Sequence, residues 1–437
     1  MRLTGRAVIV VAVLAASTPA LAATPARPDS ADAAAAREID AYVRPLVQRG
    51  DLWGQLLVTR RGRVVAERFY GQSDAELGVP VTAETRFNIA SVTKPMTSVL
   101  AIQLMTEGRL RPSDSLARWF PDFPKADSIT VSHLLRHRSG IPHEVIPDSE
   151  AVRVFTAAEV VERAKRLPLD FPPGSQERYS SGGFEVLARV LELASGKSYR
   201  ELLEARIFKP LGMTHSSHAD SREVLPGRAC AYVPGPHGVE NAPLQDFSAI
   251  VGGGSVWSTA RDIGRFVDAL LAGRLGEGPR QSFDRGGHLD FNGRTGGFKA
   301  WAVWDSASAV TACFAGNLAS GAPDALKRDI LALAVGQAVT PPALPALAAK
   351  PPAEAELRRW EGDYQIEGGG PKLSVRLQRG VLYSNDWVML PTSDGAMFSP
   401  RDYGLVRAVA GKDGRIERLE WTQGSQVYPA PRLGSGR

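Results

Sequence analysis

Apolar and polar positions alternate along residues 55–59 and again along 63–69, which predicts two antiparallel strands turning at 60–62. Apolar positions then recur at helical spacing over 91–107, 157–166, 183–194, 199–207 and 260–272. Alternation returns at 299–304 and 309–315, and a last helical stretch follows at 323–335. Strands at both ends of one segment, with helices between, predict a single sheet completed by the two ends. That is an α+β or mixed α/β layout. Residues 340–352 carry five Pro and no amphipathic period, and read as a semi-rigid linker. Beyond residue 356 the pattern is all-β. Leu373, Val375 and Leu377 alternate with polar residues, and Gly380, Asp413-Gly414 and Gly424 stand where hairpins would turn.

The N-terminus changes how much of the chain belongs to the fold. Arg2 and Arg6 precede an apolar run over residues 7–16 and a small-x-small site at Ala20-Leu21-Ala22. This is the pattern of a cleavable signal peptide, cut after Ala22, and the run is shorter than the roughly 20 residues a bilayer span needs. Export to the periplasm or outside is the expectation. The divisions are therefore 1–22 signal peptide, 23–36 mobile leader, 37–338 main domain, 339–356 linker and 357–437 a small β-barrel or sandwich.

Charge excludes one function class. The formal charge of +5 falls by Arg2 and Arg6 to +3 in the cut chain, and no basic run is interleaved with aromatics, so nucleic-acid binding has no support. The two cysteines, Cys230 and Cys313, define no disulfide framework and leave pairing open.

Ser91 begins a helix, where orphan N–H groups and the positive dipole end favour developing negative charge. Lys94 follows three residues later, on the same helix face. A serine hydroxyl needs a base beside it, and a desolvated lysine amine can serve. There is no Gly-x-Ser-x-Gly elbow. His133 and His137, four apart, lack the Glu of a zinc-hydrolase helix and read as structural. No metal or organic cofactor is expected.

The set Ser91-Val-Thr-Lys94, Tyr179-Ser-Ser181 and Arg294-Thr-Gly296 resembles the three motifs of penicillin-recognising serine hydrolases. It is most similar to the class C β-lactamase and D-alanyl-D-alanine carboxypeptidase branch, whose second motif begins with Tyr. Flanking stretches at 133–142, 171–182, 207–214 and 252–262 look like the same family, over roughly residues 37–335. The resemblance implies a β-lactamase/transpeptidase-like sheet with a helical domain. It also implies Ser91 as nucleophile, with Lys94 and Tyr179 handling protons, and leaves open which of the two is the acylation base. Ser91 and Gly297 would supply the backbone N–H groups of the oxyanion hole. Ser181, Arg294, Thr295 and Gly296 would bind substrate, with Arg294 clamping a carboxylate. From Arg359 to Tyr364 onward the chain looks like the lipocalin-like module often fused to these hydrolases.

Three departures from the family pattern stand out. Ser181 occupies the place of an Asn, Arg294 that of a Lys or His, and the span from Gly273 to Gly293 is short, which would trim one wall of the pocket. The expected activity is hydrolysis of D-amino-acid peptides or amides ending in a carboxylate. An esterase, a β-lactamase and a non-catalytic binding homologue follow in that order. The partner is a small-molecule or short-peptide substrate, with the oligomeric state open.

Overall fold

The computed structural model describes residues 30–424 and 426–434, so the signal segment lies outside the described residues. Helix α1 (Ser30–Gln48) corrects part of the leader expectation, because residues 30–36 already belong to it. Ala35, Ile39, Tyr42 and Leu46 form a buried stripe at helical spacing, and Tyr42 reaches across to donate to the Ala325 carbonyl at 3.0 Å.

Five strands form the central sheet. They are β1 (Gly54–Arg60), β2 (Arg63–Tyr70), β3 (His288–Arg294), β4 (Lys299–Asp305) and β5 (Val310–Gly316). Their order is β3-β4-β5-β1-β2, antiparallel throughout, so the two ends of the segment complete one sheet as the pattern predicts. Strand alternation divides its two faces. Leu56, Val58, Trp301, Val303 and Phe314 pack with α1 and with α5 (Ala322–Ala334). Leu57, Ala300, Ala302, Cys313 and Ala315 pack with the helical side, which includes α2 (Thr93–Thr106), α3 (Ser181–Ser195) and α4 (Ala260–Leu271). The short span from 273 to 293 is not an open wall. A helix over Glu277–Phe283 and strand β3 fill it, with Phe283 meeting Phe291 edge-on at 5.5 Å.

Eight further strands between Gly362 and Pro431 pair each with the next in an all-antiparallel sheet. A bridge between Tyr364 and Arg432 brings its two edges together, so the sheet is nearly a closed barrel around Trp360, Tyr364 and Trp421. Its loop at 399–403 docks on the main sheet's end. Tyr403 donates to Asp51 at 2.8 Å, the Arg49 guanidinium lies 4.5 Å over the Phe398 ring, and the Gly321 N–H donates to the Pro400 carbonyl. Cys230 is exposed and Cys313 buried, both as free thiols. No described helix is long and apolar enough to cross a membrane.

Candidate active site

Ser91 lies in a 3-10 turn, Ala90–Val92, that runs straight into α2. Ala90 before it holds φ at 47°, a left-handed conformation that a residue with a Cβ rarely adopts. Buried Asn88 braces this strained turn. Its Oδ1 accepts from the Ala90 N–H at 3.0 Å and its Nδ2 donates to the Gly254 carbonyl at 2.8 Å. The strain is local and sits directly under the candidate nucleophile.

Lys94 is 5% exposed, and its Nζ donates to Ser91 Oγ at 3.1 Å, Ser181 Oγ at 3.0 Å and the Gly253 carbonyl at 2.8 Å. Burial lowers its pKa to about 8, with the charge of Glu185 pulling the other way. The amine is therefore available as a base near neutrality. Tyr179 hydrogen-bonds Ser91, and burial of the phenol raises its pKa while that bond lowers it. Lys94 lies 4.8 Å over the face of the Tyr179 ring. Of the two groups whose order the sequence leaves open, Lys94 is the one whose pKa moves toward neutrality. Two clefts, of about 480 and 840 Å³, meet at Ser91.

A model of the Beta-lactamase family matches residues 39–337. The chain belongs to the Beta-lactamase family. Among relatives, the esterase EstB of Burkholderia gladioli is 30% identical over 283 residues, covering 56% of this chain and 72% of that one. The D-alanyl-D-alanine-carboxypeptidase/endopeptidase AmpH of Escherichia coli K12 is 30% identical over 243 residues, 54% of this chain and 61% of its own. The first three curated relatives are matched over only 56% to 72% of their own lengths. The D-amino acid amidase of Ochrobactrum anthropi SV3, bound to D-phenylalanine, superposes with a TM-score of 0.61 at 23% identity, over 69% of this chain and 98% of its own. That likeness concerns the fold alone. The family is one of serine hydrolases, and the relatives named include a peptidase and an esterase.

In this Beta-lactamase family member the Arg294 side chain is engaged by neighbouring groups. Arg294 pairs across from Lys299, and both side chains reach Asp324 at the start of α5, at 3.5 and 2.6 Å. The Arg294 guanidinium also donates to the Arg401 carbonyl at 3.4 Å and stands 4.0 Å from Asp402. Its guanidinium is thus drawn toward α5 and the 399–403 loop, while the residue still lines the smaller cleft with Ser91. Phe291 and Gly293 take the other parity. Phe291 packs with the helical core and lines the larger cleft. Gly293 abuts the nucleophile's turn, so close that a Cβ there would fall 2.4 Å from the Ile89 carbonyl and 3.0 Å from the Ser91 nitrogen.

Gly297 is the residue expected to supply an oxyanion-hole N–H. It lies in the turn after β3, lines neither cleft, and is walled by Ala231 and Ala242, whose Cβ atoms would be 2.5 and 2.8 Å from an added Cβ. The backbone points to a different donor. Thr295 N–H donates to the Phe298 carbonyl at 3.1 Å across the hairpin. Bonding alternates along an antiparallel pair, so the Arg294 N–H faces away from β4, along the free edge beside Gly293. Thr295 and Gly296 do line the smaller cleft, with Ser181.

Two histidines flank Tyr179: His137, which the sequence assigns a structural role, and His143, which sequence reasoning missed. His137 Nδ1 accepts from the Ser180 N–H at 3.2 Å and its ring lies 4.6 Å from that of Tyr179. His143 Nδ1 accepts from the Ser181 N–H at 3.3 Å. Burial and the Lys94 charge lower both pKa values, that of His137 to about 4, so both rings stay neutral acceptors that position the second motif. The matching stretch at 133–142 was a visible signal for His137. His133 has a structural role, capping its helix with Thr130.

The lowered Lys94 pKa sets a pH dependence. Below about 8 the amine is an ammonium and cannot accept the Ser91 proton, so kcat/KM is expected to rise as pH passes through about 8. A rate profile from pH 5 to 10 checks this, and a flat profile over 6 to 9 would exclude Lys94 as the base.

Proposed function

We propose that this chain is an exported acyl hydrolase working through a Ser91 ester, and that it prefers uncharged esters or amides to peptides ending in a carboxylate. The observation that carries this reading is that Asp324 and the Arg401 carbonyl already engage the Arg294 guanidinium, while the apolar Phe291 lines the larger cleft with Ser91. In acylation the Lys94 amine takes the Ser91 Oγ proton as Oγ bonds to the acyl carbon. The Ser91 and Arg294 N–H groups hold the oxyanion. The bond to the leaving group then breaks, and that group receives a proton through Tyr179. Water reverses the sequence, releasing the acid and restoring the Ser91 hydroxyl. The kinship with EstB, an esterase by name, supports the choice. Export rests on the pattern of residues 1–22.

The test is a matched pair of chromogenic esters, one uncharged and one with a carboxylate at the acyl end, run beside a D-alanyl-D-alanine peptide. The uncharged ester is expected to have a kcat/KM about tenfold or more above its carboxylated twin. Arg294→Gln should leave that ratio unchanged while lowering thermal stability through its lost contacts to Asp324 and Arg401. Preference for the carboxylated ester or the peptide, lost in Arg294→Gln, would restore the peptidase reading. Arg136 and Arg285 line the larger cleft. A carboxylate preference that survives Arg294→Gln would place recognition there.

A further inference from the structure

Glu185 lies four residues after Ser181 on α3, so its side chain shares the helix face that presents the Ser181 hydroxyl to Lys94. It is 1% exposed and lines the smaller cleft with Ser91. Its Oε2 is buried and has no hydrogen-bond partner. An unpartnered carboxyl in a protein interior is costly to keep, and here it stands beside the one buried amine of the site. We propose that Glu185 is a positioning residue that sets the proton affinity of Lys94, so that the base of acylation is a Lys94–Glu185 pair. This rests on the acyl-enzyme reading above.

Burial and charge oppose one another on both members of the pair. Burial lowers Lys94 to about 8 against the pull of Glu185, and pushes Glu185 up to about 8 against the pull of Lys94. When Ser91 Oγ gives its proton to the amine, an ammonium forms in a desolvated place. An ionised Glu185 offsets that charge, and the proton then leaves through Tyr179 with the departing group. The other charged and titratable groups of the two clefts are His137 and His143 after the 131–135 helix, Tyr179 before α3, Glu177, Glu144 and Asp148, with Arg136, Arg285, His288, Asp290 and Arg294 farther round. Burial holds His137 near 4, lowers His143 and raises Tyr179. Lys94 and Glu185 are both displaced to about 8.

Glu185→Gln keeps the shape and removes the charge. Without that charge burial acts alone on Lys94, so the acid limb of kcat/KM is expected to move down by about one pH unit. The weaker base should also lower the plateau by about tenfold. Glu185→Asp draws the carboxylate back by one methylene and should move the limb the same way by less; it decides the matter if the Gln variant does not fold. A limb that stays in place in the folded variants, whatever the plateau does, overturns the pair, since a merely structural residue would change rate without moving the limb. If the wild-type protein shows no Ser91-dependent turnover on any acyl substrate, the hydrolase reading fails instead, and a phosphonate probe that never labels Ser91 would identify that case.

Discussion

Ser91→Ala should lower kcat toward an acyl ester by about 10⁴-fold or more, because removing a nucleophile leaves only binding and oxyanion stabilisation to act on water. Little structural cost is expected. Ser91 is only half-buried, and Lys94 Nζ keeps its bonds to Ser181 and Gly253 when Oγ is gone. Two readouts make the result specific. Melting temperature should stay near that of the wild type, and mass spectrometry of quenched turnover should find the acyl adduct on wild-type protein but not on the variant. Activity within about tenfold of wild type would mean that another group attacks the substrate, and the acyl-enzyme at Ser91 would have to be abandoned.

Gly293→Ala is expected to be the second most damaging change, and it discriminates between two positions for the third motif. The added methyl would fall 2.4 Å from the Ile89 carbonyl and 3.0 Å from the Ser91 nitrogen, and both are backbone atoms that cannot rotate away. Strand β3 must then lift from the nucleophile's turn, carrying the Arg294 N–H with it. Loss of one oxyanion donor costs about 10²–10³ in kcat, and KM should change far less. Gly296→Ala is the control. Its nearest neighbour would be Gln245 Oε1 at 3.9 Å, which is ordinary contact, so activity should stay within about threefold. If Gly296→Ala were the dead variant and Gly293→Ala the active one, the motif would return to Arg294-Thr-Gly296.

The distance between what the sequence shows and what the fold does is uneven, and the reasons are physical. Ser91 and Lys94 were legible because helical spacing alone puts them on one face. Tyr179 was legible only through resemblance, since nothing local says that a residue 85 positions beyond Lys94 will meet it. At the third motif a matching string drew attention from a pattern that was also present. Along His288–Arg294, Leu289, Phe291 and Gly293 alternate with Asp290, Asn292 and Arg294, and that period of two already assigns the arginine to the polar face. The start of α1 was missed for the opposite reason. Its Ala-rich composition looks like a leader, yet alanine is the best helix former, and the stripe from Ala35 to Leu46 becomes visible only when spacing is weighed above composition. Glu185 left no readable signal. Its meaning depends on a burial that helix α3 acquires by packing against α2 and against the helices over Val131–Leu135 and Ala157–Ala164.

The grip of Arg294 on the Arg401 carbonyl has a consequence for anyone who would treat the two halves of the chain as interchangeable parts. One residue touches the barrel's docking loop and, in the proposed mechanism, supplies an oxyanion N–H. Grafting a foreign C-terminal module onto this hydrolase therefore exchanges the anchor of a catalytic backbone amide along with the module. A chimera that keeps residues 399–403 preserves that anchor, and one that replaces them must find another way to hold the strand still.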